Sequence, residues 1–152
     1  MIDTEQIKTL RQQTGISIAQ CKKALEETNG DLDKALTVLK SQGAAIAAKK
    51  SDRTLGAGIV RSYIHSTDNV GSLVEIQTET DFVAKNESLK EFSDDVAMQI
   101  TATNPADLAE LLGQAFIKDP TKTMDDLLKE MIQKFGERVE IKRFIRFDTS
   151  EG

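Results

Sequence analysis

The sequence GSLVEIQTETDFVAKNE, residues 71–87, contains the transition from strand to helix from which the rest of the chain can be interpreted. Its first half alternates around Leu73, Val74 and Ile76, which predicts a β-strand. Asp81 and Phe82 then stand side by side where that strand ends. Because burial of an unpaired carboxylate is costly, Phe82 is either a core residue at a strand–helix junction or a side chain that serves a partner. For Asp81, the N-cap of the next helix is a further possibility.

The segments on either side of this stretch have clear periods. Residues 59–65 alternate between two faces, and Thr67-Asp68-Asn69 is a turn signal, so residues 55–80 are predicted to form an antiparallel hairpin. Downstream, apolar residues recur at helical spacing from Leu89 to Ile100, which predicts an amphipathic helix.

The C-terminal third predicts two more helices and a third strand. A short helix is expected over residues 106–113, and residues 116–120 are expected to form a loop that packs partly inward. An apolar stripe from Leu127 to Phe135 predicts a longer helix that ends at Gly136. The alternation in RVEIKRFIRF, residues 138–147, predicts the strand.

The first 40 residues predict three short helices. Ser17 and Gln20 form a capping box for the second helix, and Asn29-Gly30 ends it because both residues tolerate the left-handed conformation of a helix C-terminus. Asp31 caps the third helix. Helices of this length bury only a small core, so this bundle is expected to serve as a docking module.

The order of elements predicts an α+β fold with helices on one face of an antiparallel sheet. We expect a three-helix docking module over residues 1–40 and a helical linker over residues 41–54. Residues 55–148 are expected to form a core domain, also the site of dimerisation, with a three-stranded antiparallel sheet covered by helices. Residues 149–152 form a tail.

Composition restricts the class of protein. The chain has 152 residues, 39% hydrophobic and 30% charged, which is typical of a folded globular protein. Its formal net charge of −5 disfavours direct binding to nucleic acid, which depends on Lys and Arg. The polar N-terminus shows no signal peptide, and no apolar run is long enough for a transmembrane helix, so no membrane is expected and the location is predicted to be cytoplasmic.

The sequence offers little for catalysis, metal binding or a cofactor. No phosphate-binding glycine loop is present. The single histidine, His65, and the single cysteine, Cys21, cannot together make a conventional zinc site. Cys21 lies on the apolar stripe of a helix, which indicates a buried structural thiol. We therefore predict that the chain is not an enzyme and needs no cofactor.

Three blocks resemble the translation elongation factor Ts family. They are TGISIAQCKKALEETNGDLDKALTVLKSQG at residues 14–43, TETDFVAKN at residues 78–86, and FIKDPTKTMDDLLKEMIQKFGERVEIKRFIRF at residues 116–147. The first block alone also resembles ubiquitin-associated domains. All three occur in the family's order and together cover most of the chain.

The resemblance implies a guanine nucleotide exchange factor in translation elongation that binds elongation factor Tu, both with GDP and free of nucleotide, and promotes GDP release. It implies that Asp81 and Phe82 project toward the partner's nucleotide domain, with Phe82 wedged between helices beside the magnesium site. The flanking Thr80 and Val83 belong to the same motif.

Two further contacts with the partner are implied by the resemblance. Lys22, in the run Cys-Lys-Lys-Ala-Leu, matches a contact position. Phe135-Gly136 lies where the family presents the end of a helix, although the family more often has an aliphatic residue in place of Phe135.

The chain resembles a short form of the family. Only about ten residues separate Asn104-Pro105 from Phe116, so the second core half and the coiled-coil insertion of longer members are missing. Short members pair two chains, which implies a homodimer through the sheet or its edge, since an exposed edge strand can pair with another chain.

Two other interpretations of the residues stay open. In the first, the chain is a ubiquitin-associated-like adapter or peptide-binding module without exchange activity, and residues 1–40 alone carry binding. In the second, it is an enzyme that uses Asp81 or Glu79 as a base, and a pocket surrounds them.

Overall fold

The computed structural model describes residues 2–151. Its helices are α1 Thr4–Thr14, α2 Ile18–Glu27, α3 Leu32–Lys50, α4 Asp81–Ala84, α5 Glu87–Thr103, α6 Leu108–Gly113 and α7 Met124–Phe135. Its strands are β1 Ala57–Ile64, β2 Val70–Thr78, β3 Ala115–Phe116, β4 Asp119–Thr123 and β5 Val139–Asp148. The predicted α+β class is confirmed. No helix in this part of the chain has both the length and the apolar character needed to cross a bilayer.

The chain divides into two compact units. The first comprises the residues up to Asp52 together with Lys129–Gly136, and the second comprises Arg53–Leu128 together with the residues from Glu137 onward. The boundaries between the units therefore fall just after α3, inside α7, and between α7 and β5.

The first unit contains the predicted three-helix bundle. Asp3, Ser17 and Asp31 cap α1, α2 and α3 with their side chains, as their short polar groups allow. Gly15 ends α1 in the left-handed region at φ 69°. The buried cluster of this bundle consists of Leu10, Ile16, Cys21, Ala24, Leu25, Ala35 and Leu39. α3 continues without a break to Lys50, beyond the bundle's core residues.

The second unit contains the predicted three-stranded antiparallel sheet, with the strand order β1-β2-β5. One face packs against α5, where the Ser72 hydroxyl donates to the Ala97 carbonyl at 2.7 Å. On that face Val74 and Ile76 are buried. The guanidinium of Arg61 in β1 makes two hydrogen bonds to the Asp94 carboxylate of α5, at 2.7 and 3.1 Å. The Asp94 carboxylate raises the pKa of Arg61 by hydrogen bonding and charge.

A bulge explains the pattern of β5. Glu75 pairs with Arg143 and Ile76 pairs with Ile141, so Lys142 is an extra residue with no partner in the register. The extra residue moves the alternation by one position. Val139 and Ile141 are therefore buried, whereas Ile145 and Phe147 are exposed farther along the strand.

The prediction of a loop at residues 116–120 is wrong. β3 and β4 form a two-stranded antiparallel hairpin there. The buried side-chain amide of Gln99 in α5 holds this hairpin. Gln99 Nε2 donates to the Ala115 carbonyl at 3.1 Å, and Gln99 Oε1 accepts from the Ile117 N–H at 3.0 Å. A two-residue strand is too short to show an alternating pattern, and the side chain that holds it is distant in the sequence. The local sequence therefore could not predict it.

Candidate partner-binding site

α4 is a single helical turn that follows β2 after Glu79 and Thr80, and it carries the Asp81-Phe82 pair. Thr80, not Asp81, is its N-cap: the Val83 N–H donates to Thr80 Oγ1 at 3.4 Å. Asp81 is the first helical residue and its side chain is exposed. A carboxylate at this position interacts favourably with the unpaired N–H groups of the first turn.

Phe82 is the most exposed large apolar side chain among residues 2–151, with 89% of its surface accessible. Its neighbours Val83 and Ala84 are buried, at 6% and 3%. These two residues fix the turn to the core domain while Phe82 points to solvent. Packing of Phe82 in the core, one of the two interpretations of the sequence, is therefore wrong.

A carboxylate from a distant part of the chain holds the base of this turn. Glu137 accepts the Thr80 N–H at 3.1 Å with Oε1 and the Thr80 hydroxyl at 2.7 Å with Oε2. Glu79 in turn accepts the Arg138 N–H at 2.6 Å. Nothing in the sequence pointed to Glu137, because it lies 57 residues from Thr80 and in no periodic pattern.

The interpretation of Asp81 or Glu79 as a catalytic base requires a pocket around these carboxylates. The Glu79 carboxylate accepts from the Arg138 N–H and lies 3.4 Å from the Arg53 guanidinium. Asp81 is on an exposed turn rather than inside a pocket. Within residues 2–151, no group of three or more His, Cys, Asp or Glu side chains is arranged to hold a metal ion.

Lys22 lies on the exposed side of α2 in the first unit. Its ammonium group is 4.0 Å from Glu26, and 58% of its side chain is accessible. Ile18, one helical turn earlier on the same face, is 54% exposed. Ile18 could not be selected from the sequence, because a single apolar residue at the start of a helix carries no signal of exposure.

Phe135 and Gly136 also belong to the first unit, whereas Thr80, Asp81, Phe82 and Val83 belong to the second. Gly136 ends α7 at φ 67°, and its N–H donates to the Ile132 carbonyl at 2.9 Å. The Phe135 ring is only partly buried, and Lys134 Nζ lies 5.8 Å from its centroid. Gly136 is exposed at this helix end.

The face of the sheet that points away from α5 has an exposed apolar patch beside the ion pair of Glu75 with Arg143. It carries Val60, Ile64, Leu73, Ile145 and Phe147, with exposed fractions between 47% and 65%. These side chains are adjacent across the strands, because Leu73 pairs with Ile145 and Gly71 pairs with both Ile64 and Phe147.

Comparisons with known proteins agree with this architecture. A family model described as "UBA-like domain" matches residues 1–44, and one described as "Elongation factor TS" matches residues 79–152. The fold is thus a ubiquitin-associated-like bundle joined to an α+β core.

Several relatives align along the whole chain. The Elongation factor Ts of Acetivibrio thermocellus is 38% identical over 197 residues, covering 100% of this chain and 92% of the relative. Those of Carboxydothermus hydrogenoformans and Caldanaerobacter subterraneus subsp. tengcongensis are 39% and 37% identical, with 100% of this chain covered and 91% and 98% of the relatives. The chain belongs to the elongation factor Ts family and is a translation elongation factor. It is a short member, because the alignments span 197 positions and the chain has 152 residues.

Proposed function

We propose that this chain is a guanine nucleotide exchange factor for elongation factor Tu. It accelerates GDP release when Asp81 and Phe82 enter the partner near its magnesium and nucleotide site. The observation that carries the proposal is the exposure of Phe82, at 89%, on a turn whose other apolar residues are buried. An exposed aromatic side chain of this kind is typical of a binding anchor that fills a pocket on a partner.

The proposed mechanism is displacement rather than covalent chemistry. Magnesium keeps nearly octahedral coordination, so a small movement of its ligands weakens its hold on the phosphates. Phe82 supplies the apolar wedge, and Asp81 places a negative charge beside it. Reciprocity then applies: if this chain weakens GDP binding by some factor, GDP weakens binding of this chain by the same factor. Because nucleotide rebinding then releases this chain from elongation factor Tu, the cycle can repeat.

The first unit supplies the second contact in this proposal. We propose that the bundle within residues 1–40 docks on the partner through the face that carries Lys22, and that Phe135-Gly136 adds a contact at the end of α7. The exposed ammonium group of Lys22 supports a charged contact. In the adapter alternative this bundle alone would bind its partner, and α4 would be dispensable.

We also propose that the short form acts as a homodimer through the outer face of its sheet. Five exposed apolar side chains on one face exceed the scattered apolar residues normal for a monomer surface. Gly71 lies within this face, where a Cβ atom would lie 2.6 Å from Ile64 Cδ1 and 2.8 Å from the Tyr63 carbonyl oxygen. The missing side chain at Gly71 leaves room for the Ile64 side chain, which belongs to the exposed apolar group on this face.

The test is release of a fluorescent GDP from elongation factor Tu, with and without this chain. We expect much less than one equivalent of this chain, relative to elongation factor Tu, to accelerate GDP release, because each molecule acts repeatedly. A folded chain that does not accelerate release, but that binds a partner through residues 1–40 alone, would support the adapter instead.

A further inference from the structure

We propose that Glu137 is a positioning residue for exchange, which fixes the direction of Phe82 by acting on Thr80. The inference rests on the proposed function, because it assigns a role to Glu137 at the same site. Phe82 packs against almost nothing, with 89% of its surface exposed. Its direction therefore depends on the backbone of α4, which Val83 and Ala84 anchor in the core and whose first residues are held by the cap at Thr80.

The Thr80 hydroxyl links Glu137 to the first turn of α4. It donates its proton to Glu137 Oε2 at 2.7 Å and accepts the Val83 N–H at 3.4 Å. A hydroxyl has one proton and free lone pairs, so donation to a carboxylate leaves its lone pairs for the helix. Glu137 thereby selects the hydroxyl orientation that caps α4, and it holds the Thr80 N–H at 3.1 Å in addition.

The arrangement is reciprocal across the end of the sheet. Thr78 and Val139 are the last pair in the register of β2 and β5. Beyond that pair, Glu137 accepts from the Thr80 backbone, and Glu79 accepts from the Arg138 backbone at 2.6 Å. Two carboxylates thus replace the carbonyl groups that a continued ladder would supply. Hydrogen bonds to a charged acceptor are stronger than those between neutral groups.

The location of these bonds indicates positioning more than stability. Thr80 is exposed and Glu137 is only partly buried, whereas Val83 and Ala84 already anchor the turn in the core. Loss of these bonds would therefore cost less free energy of unfolding than truncation of a core side chain. Loss of order in a turn that presents a binding anchor costs affinity, because the turn must then be ordered on binding.

The first measurement needs no partner. In Glu137→Ala, we expect the backbone amides of Thr80 and Val83 to exchange with solvent about tenfold faster by NMR, the size of effect typical of a lost charge-assisted hydrogen bond. The midpoint of thermal unfolding should fall by only about 3–6 °C, the shift expected from the same tenfold loss in a chain of this size. Glu151→Ala is the matched control, since Glu151 pairs with Arg146 and not with α4. Unchanged amide exchange at both Thr80 and Val83 would overturn the proposal.

The second measurement uses GDP release from elongation factor Tu at a temperature where every variant is folded. Glu137→Ala should lower the second-order rate constant about tenfold, the scale of one such bond. Glu137→Gln should recover part of the loss, because its amide oxygen still accepts one of the two bonds. Thr80→Ala should make the effect of Glu137→Ala smaller in the double variant, because it removes the hydroxyl bond to Glu137 and leaves only the bond from the backbone N–H of residue 80.

The outcomes separate this inference from the proposed function. If the unaltered chain does not accelerate GDP release, the proposed function fails, and the amide measurement still decides whether Glu137 fixes the turn. If the unaltered chain is active but Glu137→Ala is equally active, or if the effects of Glu137→Ala and Thr80→Ala simply add, Glu137 is not a positioning residue.

Discussion

Phe82 and Val83 are adjacent on the single turn of α4, yet Phe82 is 89% exposed and Val83 is 6% exposed. One residue of the pair fixes the turn to the core domain, and the other faces solvent with a large apolar ring. Because the ring stays in water in the free protein, it adds nothing to folding stability. The free energy of burying the ring is therefore available for binding a partner.

Replacement of Phe82 by alanine separates binding from folding. We expect Phe82→Ala to change the free energy of unfolding by no more than about 0.5 kcal/mol, as for other surface positions. We expect the same variant to lose most of the acceleration of GDP release. Urea unfolding and the fluorescent GDP assay measure the two effects.

Phe92 provides the matched control for Phe82. It is the same residue type, but it is 5% exposed in α5. Phe92→Ala should therefore cost about 3–5 kcal/mol of stability, the range for truncation of a core aromatic. A destabilisation of that size in Phe82→Ala would show that Phe82 packs in the core and would refute its role as a binding anchor.

Lys22 and its neighbour Lys23 test the docking role of the first unit. Both lysines are exposed on α2. The ion pair of Lys22 with Glu26, at 4.0 Å on the surface, contributes at most about 0.5 kcal/mol to stability. Lys22→Ala should thus fold normally, raise the concentration of the chain needed for half-maximal exchange, and weaken the dependence of that concentration on salt.

Lys23→Ala is the control for charge alone. If both variants weaken exchange equally, the two lysines contribute only nonspecific electrostatic attraction to the partner. If neither does, Lys22 is a solvated helix residue and the docking contact lies elsewhere on the bundle.

The parts of the fold that follow a period could be predicted from the sequence. β1 alternates over its full length and β2 alternates from Ser72 onward, and α5 repeats its apolar residues every three or four positions, so local spacing was sufficient. β3 and β4 could not be predicted, because the Gln99 amide that holds the hairpin is 16 residues from Ala115. No short-range pattern carries such a contact.

The candidate site was predicted only in part for the same physical reason. The family motif indicated Asp81 and Phe82, and the exposure of Phe82 could not be derived from residue type, because a phenylalanine beside a strand is usually buried. The contact between Thr80 and Glu137 depends on the register of β2 and β5, which brings residues 57 positions apart together.

Cys21 tests the core of the first unit. Its side chain is fully buried, and this burial raises the pKa of its thiol despite a contact with the Thr14 hydroxyl. Only the thiolate reacts with a disulfide reagent, so the native chain should resist labelling at neutral pH and react fully once unfolded. Rapid labelling of the native chain would contradict the buried assignment.

The raised pKa of Cys21 also has a consequence for stability. The folded state holds the thiol proton more tightly than the unfolded state, so this contribution is fully present below the unfolded pKa of about 8.5 and is lost as the pH rises through the folded value. The free energy of unfolding should therefore fall above about pH 8.5. Cys21→Ala should reduce that dependence on pH, measured by urea unfolding at several values.

Leu73 tests the proposed dimer. It lies at the centre of the outer face of the sheet, where it pairs with Ile145, and it is 47% exposed. Leu73→Lys would place a charge in the interface, and burial of an unpaired charge is unfavourable, so the variant should sediment as a monomer where the unaltered chain sediments as a dimer. Ile117→Lys is the control, because Ile117 has the same exposure, 47%, but follows β3 rather than lying in this sheet. If the unaltered chain sediments as a monomer at micromolar concentration, or if both variants disrupt the dimer equally, the outer face is not the interface between two copies.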